Sequence, residues 1–227
     1  ACDEGWGSLE EPLDKLRTTI QADKSRTAIT RNDSPDLGFD RSINAYRGCE
    51  HGCSYCFARP THAFLGLSPG QDFETRIFAK YRAPELLRQE LSQPGYSCRM
   101  IALGTNTDPY QPAERRLEIT RAILEILSEF NHPVGIVTKS ALITRDVDIL
   151  SSMAERNLVK TIISVTTLER DLARRMEPRA ATPAKRLAAI RTLSCAGIPT
   201  GVNFAPVIPA LNESELEAVF EAAAEAG

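Results

Sequence analysis

From residue 99 to the end of the chain, β-branched apolar runs alternate with amphipathic stretches roughly every 30 residues, the length of a βαβ unit. No other feature constrains the fold as strongly. Successive parallel strands need helical, right-handed crossovers, so the sheet must be parallel with helices packed outside it. The pattern predicts strands over 99–103, 134–138, 159–165 and 200–205. Between them it predicts one helix over 117–130 and another over 146–156. A third, with Thr182 as N-cap and Pro183 in its first turn, closes at Gly197. Asn212 and Glu215 have capping-box spacing ahead of a last helix with the apolar stripe Leu216, Val219, Phe220 and Ala223. A long polar loop is expected between 165 and 182.

The first half of the chain is less regular. Residues 1–40 read as an irregular lead-in, with turn chemistry at Asn32, Asp33, Ser34, Pro35, Asp36, Leu37 and Gly38. A short strand is expected over 42–46, a second strand or extension over 75–80, and a helix beginning near Pro84. The fold class is α/β, either an open doubly wound sheet or a curved partial (β/α) barrel. Both collect ligands at the carboxyl ends of their strands. The chain stops at Gly227, where a further strand is expected, which reads as a piece of a longer protein with its core domain over 41–227.

Composition narrows the setting. A formal net charge of −3 with 25% charged residues gives no overall sign of a nucleic-acid or membrane surface. No apolar run approaches the roughly 18 residues of a membrane-spanning helix, and the acidic start is unlike a signal peptide. Of six cysteines, Cys49, Cys53 and Cys56 cluster while Cys2, Cys98 and Cys195 are scattered. That distribution reads as metal ligands in a reducing cytoplasm, not as disulfides.

The cluster is a C-x3-C-x2-C loop, Cys49-Glu50-His51-Gly52-Cys53-Ser54-Tyr55-Cys56. Thiolates are soft ligands for zinc or iron–sulfur centres, and an iron–sulfur cluster normally takes four. Three would leave one iron open to a further ligand. The alternative is structural zinc with His51 as fourth ligand, although zinc sites more often pair two separated C-x2-C hooks.

This loop, delivered by a first strand and followed by β/α repeats, resembles the radical S-adenosylmethionine superfamily. Within it the chain is similar to an uncharacterised bacterial group distantly related to spore photoproduct lyase and labelled DNA-repair-photolyase-like. The stretches that carry the resemblance are 46–53, 104–112, 138–140, 164–167 and Met176-Glu177-Pro178-Arg179, with Tyr55 as the aromatic before the third cysteine. The resemblance implies a partial TIM-like barrel. It also implies that Cys49, Cys53 and Cys56 hold a [4Fe–4S] cluster whose open iron binds S-adenosylmethionine. Reductive cleavage would then give a 5′-deoxyadenosyl radical that abstracts hydrogen from a substrate. A one-electron reductant such as flavodoxin or ferredoxin would be the partner. Nucleic acid is the substrate that the distant resemblance favours, with a peptide or small molecule as alternatives and a non-catalytic iron–sulfur or zinc module as a third reading.

The same resemblance points to cofactor contacts at the strand ends. Asn106, Thr107 and Asp108 stand where the family binds the methionine amino group, and Lys139 could pair with its carboxylate. Ser164 and Thr166 share one strand face toward the ribose or carboxylate, and Tyr55 with residues 205–209 would border the adenine. Seven basic residues, Arg170, Arg174, Arg175, Arg179, Lys185, Arg186 and Arg191, could form a phosphate-attracting patch near the site mouth. Cys98 and Cys195 read as structural thiols, Tyr110 as packing, and His62 and His132 have no partners at ligand spacing.

Overall fold

The computed structural model describes residues 17–227. β1 (Thr19–Ala22), β2 (Thr30–Arg31), β3 (Arg41–Ile43) and β4 (Tyr46–Arg47) come first, followed by a 3-10 turn (Arg59–Leu65), α1 (Gln71–Thr75), β5 (Arg76–Ala79) and α2 (Ala83–Leu91). The regular half runs β6 (Ile101–Leu103), α3 (Glu114–Leu117), α4 (Ile119–Glu129), β7 (Val134–Thr138), a 3-10 turn (Ala141–Asp146), α5 (Val147–Glu155) and β8 (Val159–Ser164). It ends with α6 (Arg170–Met176), α7 (Pro183–Cys195), β9 (Thr200–Asn203), a 3-10 turn (Glu213–Glu215) and α8 (Leu216–Ala226).

The main sheet has the order β2-β3-β6-β7-β8-β9, parallel throughout except for the antiparallel edge strand β2. It is a partial barrel that does not close. Because five strands run the same way, the residues after β3, β6, β7 and β8 all emerge at one end. The core beneath is apolar: Ile43, Ile101, Leu103, Ile136 and Ile163 from the strands, and Leu87, Ile123, Leu127, Leu150, Met153, Ile190 and Leu193 from the helices, are all buried. Each such side chain contributes about 1.5–3 kcal/mol by leaving water.

Four expectations need correction. The strand expected over 42–46 is two strands in different sheets. β3 pairs with β6, whereas β4 pairs with β5 in a small sheet of order β1-β5-β4. The chain changes sheet at Asn44, whose side chain turns away to bond the loop after β6. The helix expected over 117–130 is α3 and α4, broken at Glu118 with φ 52°. Glu114 restarts it by accepting the Thr120 amide at 3.1 Å, an acid capping the next helix's first turn. The long polar loop after β8 contains α6, which buries Ala173 and Met176. No capping box starts the last helix: Asn212 Nδ2 donates to the Thr166 and Pro206 carbonyls, while the Glu215 carboxylate accepts from Thr167 and the Leu168 amide. In that helix Val219 and Ala223 are buried, whereas Leu216 and Phe220 are exposed.

The lead-in over 1–40 falls partly on residues 1–16, outside the described residues; the rest contributes β1 and β2. Among the described residues, no helix is long and apolar enough to cross a membrane.

Candidate cofactor site and its comparisons

The cysteine loop sits in the connection from β3 to β6, pinned at nearly every residue. Gln111, fully buried, donates to the Gly48 carbonyl at 3.1 Å and accepts the Glu50 amide at 3.0 Å. The Cys49 amide donates to the Phe73 carbonyl at 2.9 Å. Arg59 donates to the Cys53 carbonyl through two nitrogens and pairs with Glu74. The Met176–Arg179 stretch clasps the other side. The Met176 carbonyl accepts the Ser54 amide at 2.9 Å, and Arg179 donates its backbone amide to the His51 carbonyl and its guanidinium to the Glu50 carbonyl and Glu74. Gly52, with φ +69°, lies so close to Arg179 that a Cβ there would sit 2.0 Å from the guanidinium.

The loop after β6 is held as firmly. The Asn44 carboxamide oxygen accepts the Asn106 amide at 3.0 Å and the Thr107 amide at 3.3 Å. Gly104 has φ +89°, and a Cβ would meet the Val137 carbonyl at 2.0 Å, so this backbone passes against β7 only because the residue is glycine. Asp108 accepts from the Thr138 hydroxyl at 2.6 Å, the Lys139 amide at 2.8 Å and the Tyr110 amide at 2.9 Å, with His51 Nδ1 3.4 Å away. Burial pushes its carboxyl up, but the His51 charge and these donors bring it down to about 2.

These pieces enclose a hollow of about 110 Å³ at the carboxyl end of the sheet. Cys49, Cys53, Cys56, Tyr55, Asn106, Thr107, Asp108, Lys139 and Ser164 all line it. Thr166 lies just behind, its hydroxyl donating to Glu177 at 2.6 Å beside the Tyr55 hydroxyl, which bonds the same carboxylate. The Lys139 ammonium stands 5.7 Å from the centre of the Tyr55 ring. Glu177 in turn forms a fully buried ion pair with Arg186, whose guanidinium also donates to the Ser164 carbonyl at 3.0 Å. Burial pushes Glu177 up, yet Arg186 overrides it and leaves the carboxyl below the ordinary glutamate value.

Two of the seven expected patch residues, Arg179 and Arg186, are therefore internal clamps. Tyr110 is buried under Arg145 and does not line the hollow, and Cys98 and Cys195 are exposed. Residues 205–209 do not line it either. His62 and His132 serve packing, through the Arg76 carbonyl and through Tyr96 and the Pro133 carbonyl.

The donor set suits a polynuclear cluster. Among the described residues, no three His, Cys, Asp or Glu side chains are already arranged as ligands of a single metal ion; the three thiols line the hollow instead. Burial pushes the Cys53 thiol up to about 12 and raises Cys56 as well. Thiols so disfavoured as anions would become thiolates when a metal cation binds them.

The sequence profile of the Radical SAM superfamily matches residues 43–223. The chain belongs to the radical SAM superfamily. That superfamily is one of S-adenosylmethionine-dependent radical chemistry at an iron–sulfur cluster. This radical SAM chain is 40% identical over 178 residues to an uncharacterised protein of Mycobacterium tuberculosis, covering 78% of this chain and 52% of the relative. It is 27% identical over 200 residues to an uncharacterised protein of Methanocaldococcus jannaschii, 88% of this chain and 73% of that one. Thus it spans about half the length of the mycobacterial relatives it matches. Among solved structures, spore photoproduct lyase complexed with dinucleoside spore photoproduct superposes with a TM-score of 0.64 at 17% identity, over 91% of this chain and 55% of that one. Streptococcus suis SuiB gives 0.54 at 16% identity, over 79% and 35%. At these identities the likeness is one of fold.

Several residues of the site carry no role in the sequence reading. Gln111 and Glu177 lie inside stretches that the resemblance singles out, so the signal was present without a function; Arg179 lies there too, with a role only in the basic patch. Asn44, Arg59 and Glu74 gave none.

Proposed function

We propose that Cys49, Cys53 and Cys56 hold a [4Fe–4S] cluster with one open iron, and that S-adenosylmethionine binds there as the source of a substrate-oxidising radical. The observation that supports this reading is the convergence of three thiols with strand-end polar groups around one hollow. When bound and reduced by one electron, these cofactors supply a 5′-deoxyadenosyl radical and methionine.

The chain's own residues would bind, orient and exclude water. Lys139, cationic and beside the thiols, would attract the methionine carboxylate. Because Asp108 already accepts from Thr138, Lys139 and Tyr110, its task would be to fix the loop, leaving Asn106, Thr107 and Ser164 as hydrogen-bonding groups toward the cofactor. Tyr55 and Thr166, tied to Glu177, would hold the cysteine loop against β8. In this reading residues 41–227 form the core domain, and the segment before them borders a groove that opens from the hollow. A flavodoxin- or ferredoxin-like reductant in the cytoplasm would supply the electron.

The test is turnover. Anaerobically reconstituted protein reduced with dithionite should release 5′-deoxyadenosine from S-adenosylmethionine, and Cys53→Ala should abolish it. Release equal to the protein-free control would overturn the reading.

A further inference from the structure

The hollow opens into a second, larger concavity of about 840 Å³, and the two share Phe57, Val137 and the Gly104–Thr107 backbone. This size falls within the roughly 300–1,000 Å³ of small-ligand clefts. Its lining has three unusual properties together. Phe57 and Phe64 line it with 76% and 90% of their surfaces exposed, although phenyl rings are normally withdrawn from water. Neutral amides and hydroxyls such as Asn32, Asn44 and Thr61 fill much of the rest. Arg47 and Lys80 are its cations, and among the described residues no Asp or Glu lines it, in a chain with a net charge of −3. Arg47 also donates to Asp23 at 2.7 Å, from outside the lining.

Resting on the cofactor reading above, we infer that this groove binds an unpaired stretch of nucleic acid, with a base laid on the exposed phenyl rings and a backbone phosphate at Arg47 and Lys80. Stacking platforms combined with a cationic, carboxylate-poor groove are how proteins hold single strands without a sequence code. Carboxamides and hydroxyls suit base edges, which offer both donors and acceptors. A base inside a duplex cannot lie on Phe57, because its faces are covered by its neighbours. The reacting nucleotide must therefore arrive unpaired or be extruded. The shared lining would bring such a base beside the radical source, the proximity that hydrogen abstraction needs.

Fluorescence anisotropy with a labelled single-stranded 10-mer, as DNA and as RNA, and with the matching DNA duplex tests the inference. Single strand should bind more tightly than duplex. Phe64→Ala, on a ring that is 90% exposed and so dispensable for folding, should weaken binding by about 5- to 150-fold, the span of one lost stack. Phe64→Trp made in a Trp6→Phe background should preserve affinity and show tryptophan quenching on binding that is absent from Trp6→Phe alone. Lys80→Gln should lower the salt slope by about 0.7. Equal affinity of wild type and Phe64→Ala, equal binding of duplex, or capture of peptides in place of oligonucleotides would overturn it. Release of 5′-deoxyadenosine by the same preparation keeps the two failures apart. Turnover without oligonucleotide binding sinks only the groove proposal, and binding without turnover sinks only the cofactor reading.

Discussion

At the scale of single residues, the site depends on side chains that never face the cofactor. Gln111 is fully buried and satisfies both the Gly48 carbonyl and the Glu50 amide, so it sets the path of the cysteine loop. Gln111→Leu keeps the volume but strands both backbone groups, at a cost of about 1–3 kcal/mol for each. Urea unfolding of the apo protein should show that loss, and reconstituted Gln111→Leu should retain less iron per chain than the wild type. Unchanged stability and iron content would mean that Gln111 does not set the loop. The three thiols were legible because soft-ligand spacing is a local pattern. Gln111 was not legible as a clamp, since its partners lie 61 and 63 residues away and nothing local marks such a contact.

At the scale of elements, strand and helix periodicity was readable from Leu87 to Ala223, because each element buries one face in a shared core. The misses have local causes. Glu118 breaks the expected helix by adopting a left-handed conformation, with neither glycine nor asparagine to announce it. α6 went unseen because it buries only Ala173 and Met176, too few apolar positions to form a stripe. Yet α6 and α7 matter to the site through the Glu177–Arg186 pair. Glu177→Gln keeps acceptor capacity for Tyr55 and Thr166 but leaves the buried Arg186 charge unpaired, which should destabilise the protein by about 3–5 kcal/mol at neutral pH. Glu177 is held below its ordinary value of 4.5, so the unfolded chain takes up the proton first as pH falls. The pair's contribution is therefore present in full above that value and is lost as pH drops through the lowered, folded-state one. Denaturant midpoints of wild type and Glu177→Gln should accordingly converge in acid. A constant offset at all pH values would show that the charge is not what matters.

For the whole molecule, the parallel sheet explains why groups from distant parts of the chain meet. β3, β6, β7 and β8 all end on one side, so the loops carrying Asn44, Asn106, Lys139 and Thr166 arrive together without contacts specified in the local sequence. That much followed from the alternation of strands and helices. The small sheet did not, because β4 and β5 are two and four residues long and carry no period of their own. Nor did the groove, whose exposed Phe57 and Phe64 read in sequence as ordinary apolar residues. Three thiolates on a four-iron cluster would leave one iron open to S-adenosylmethionine. Electron paramagnetic resonance of the reconstituted, reduced protein, recorded with and without S-adenosylmethionine, tests this most directly. A [4Fe–4S]⁺ signal whose g values move on adding S-adenosylmethionine is the predicted result. A cluster signal indifferent to S-adenosylmethionine, or a colourless protein holding stoichiometric zinc, would contradict it.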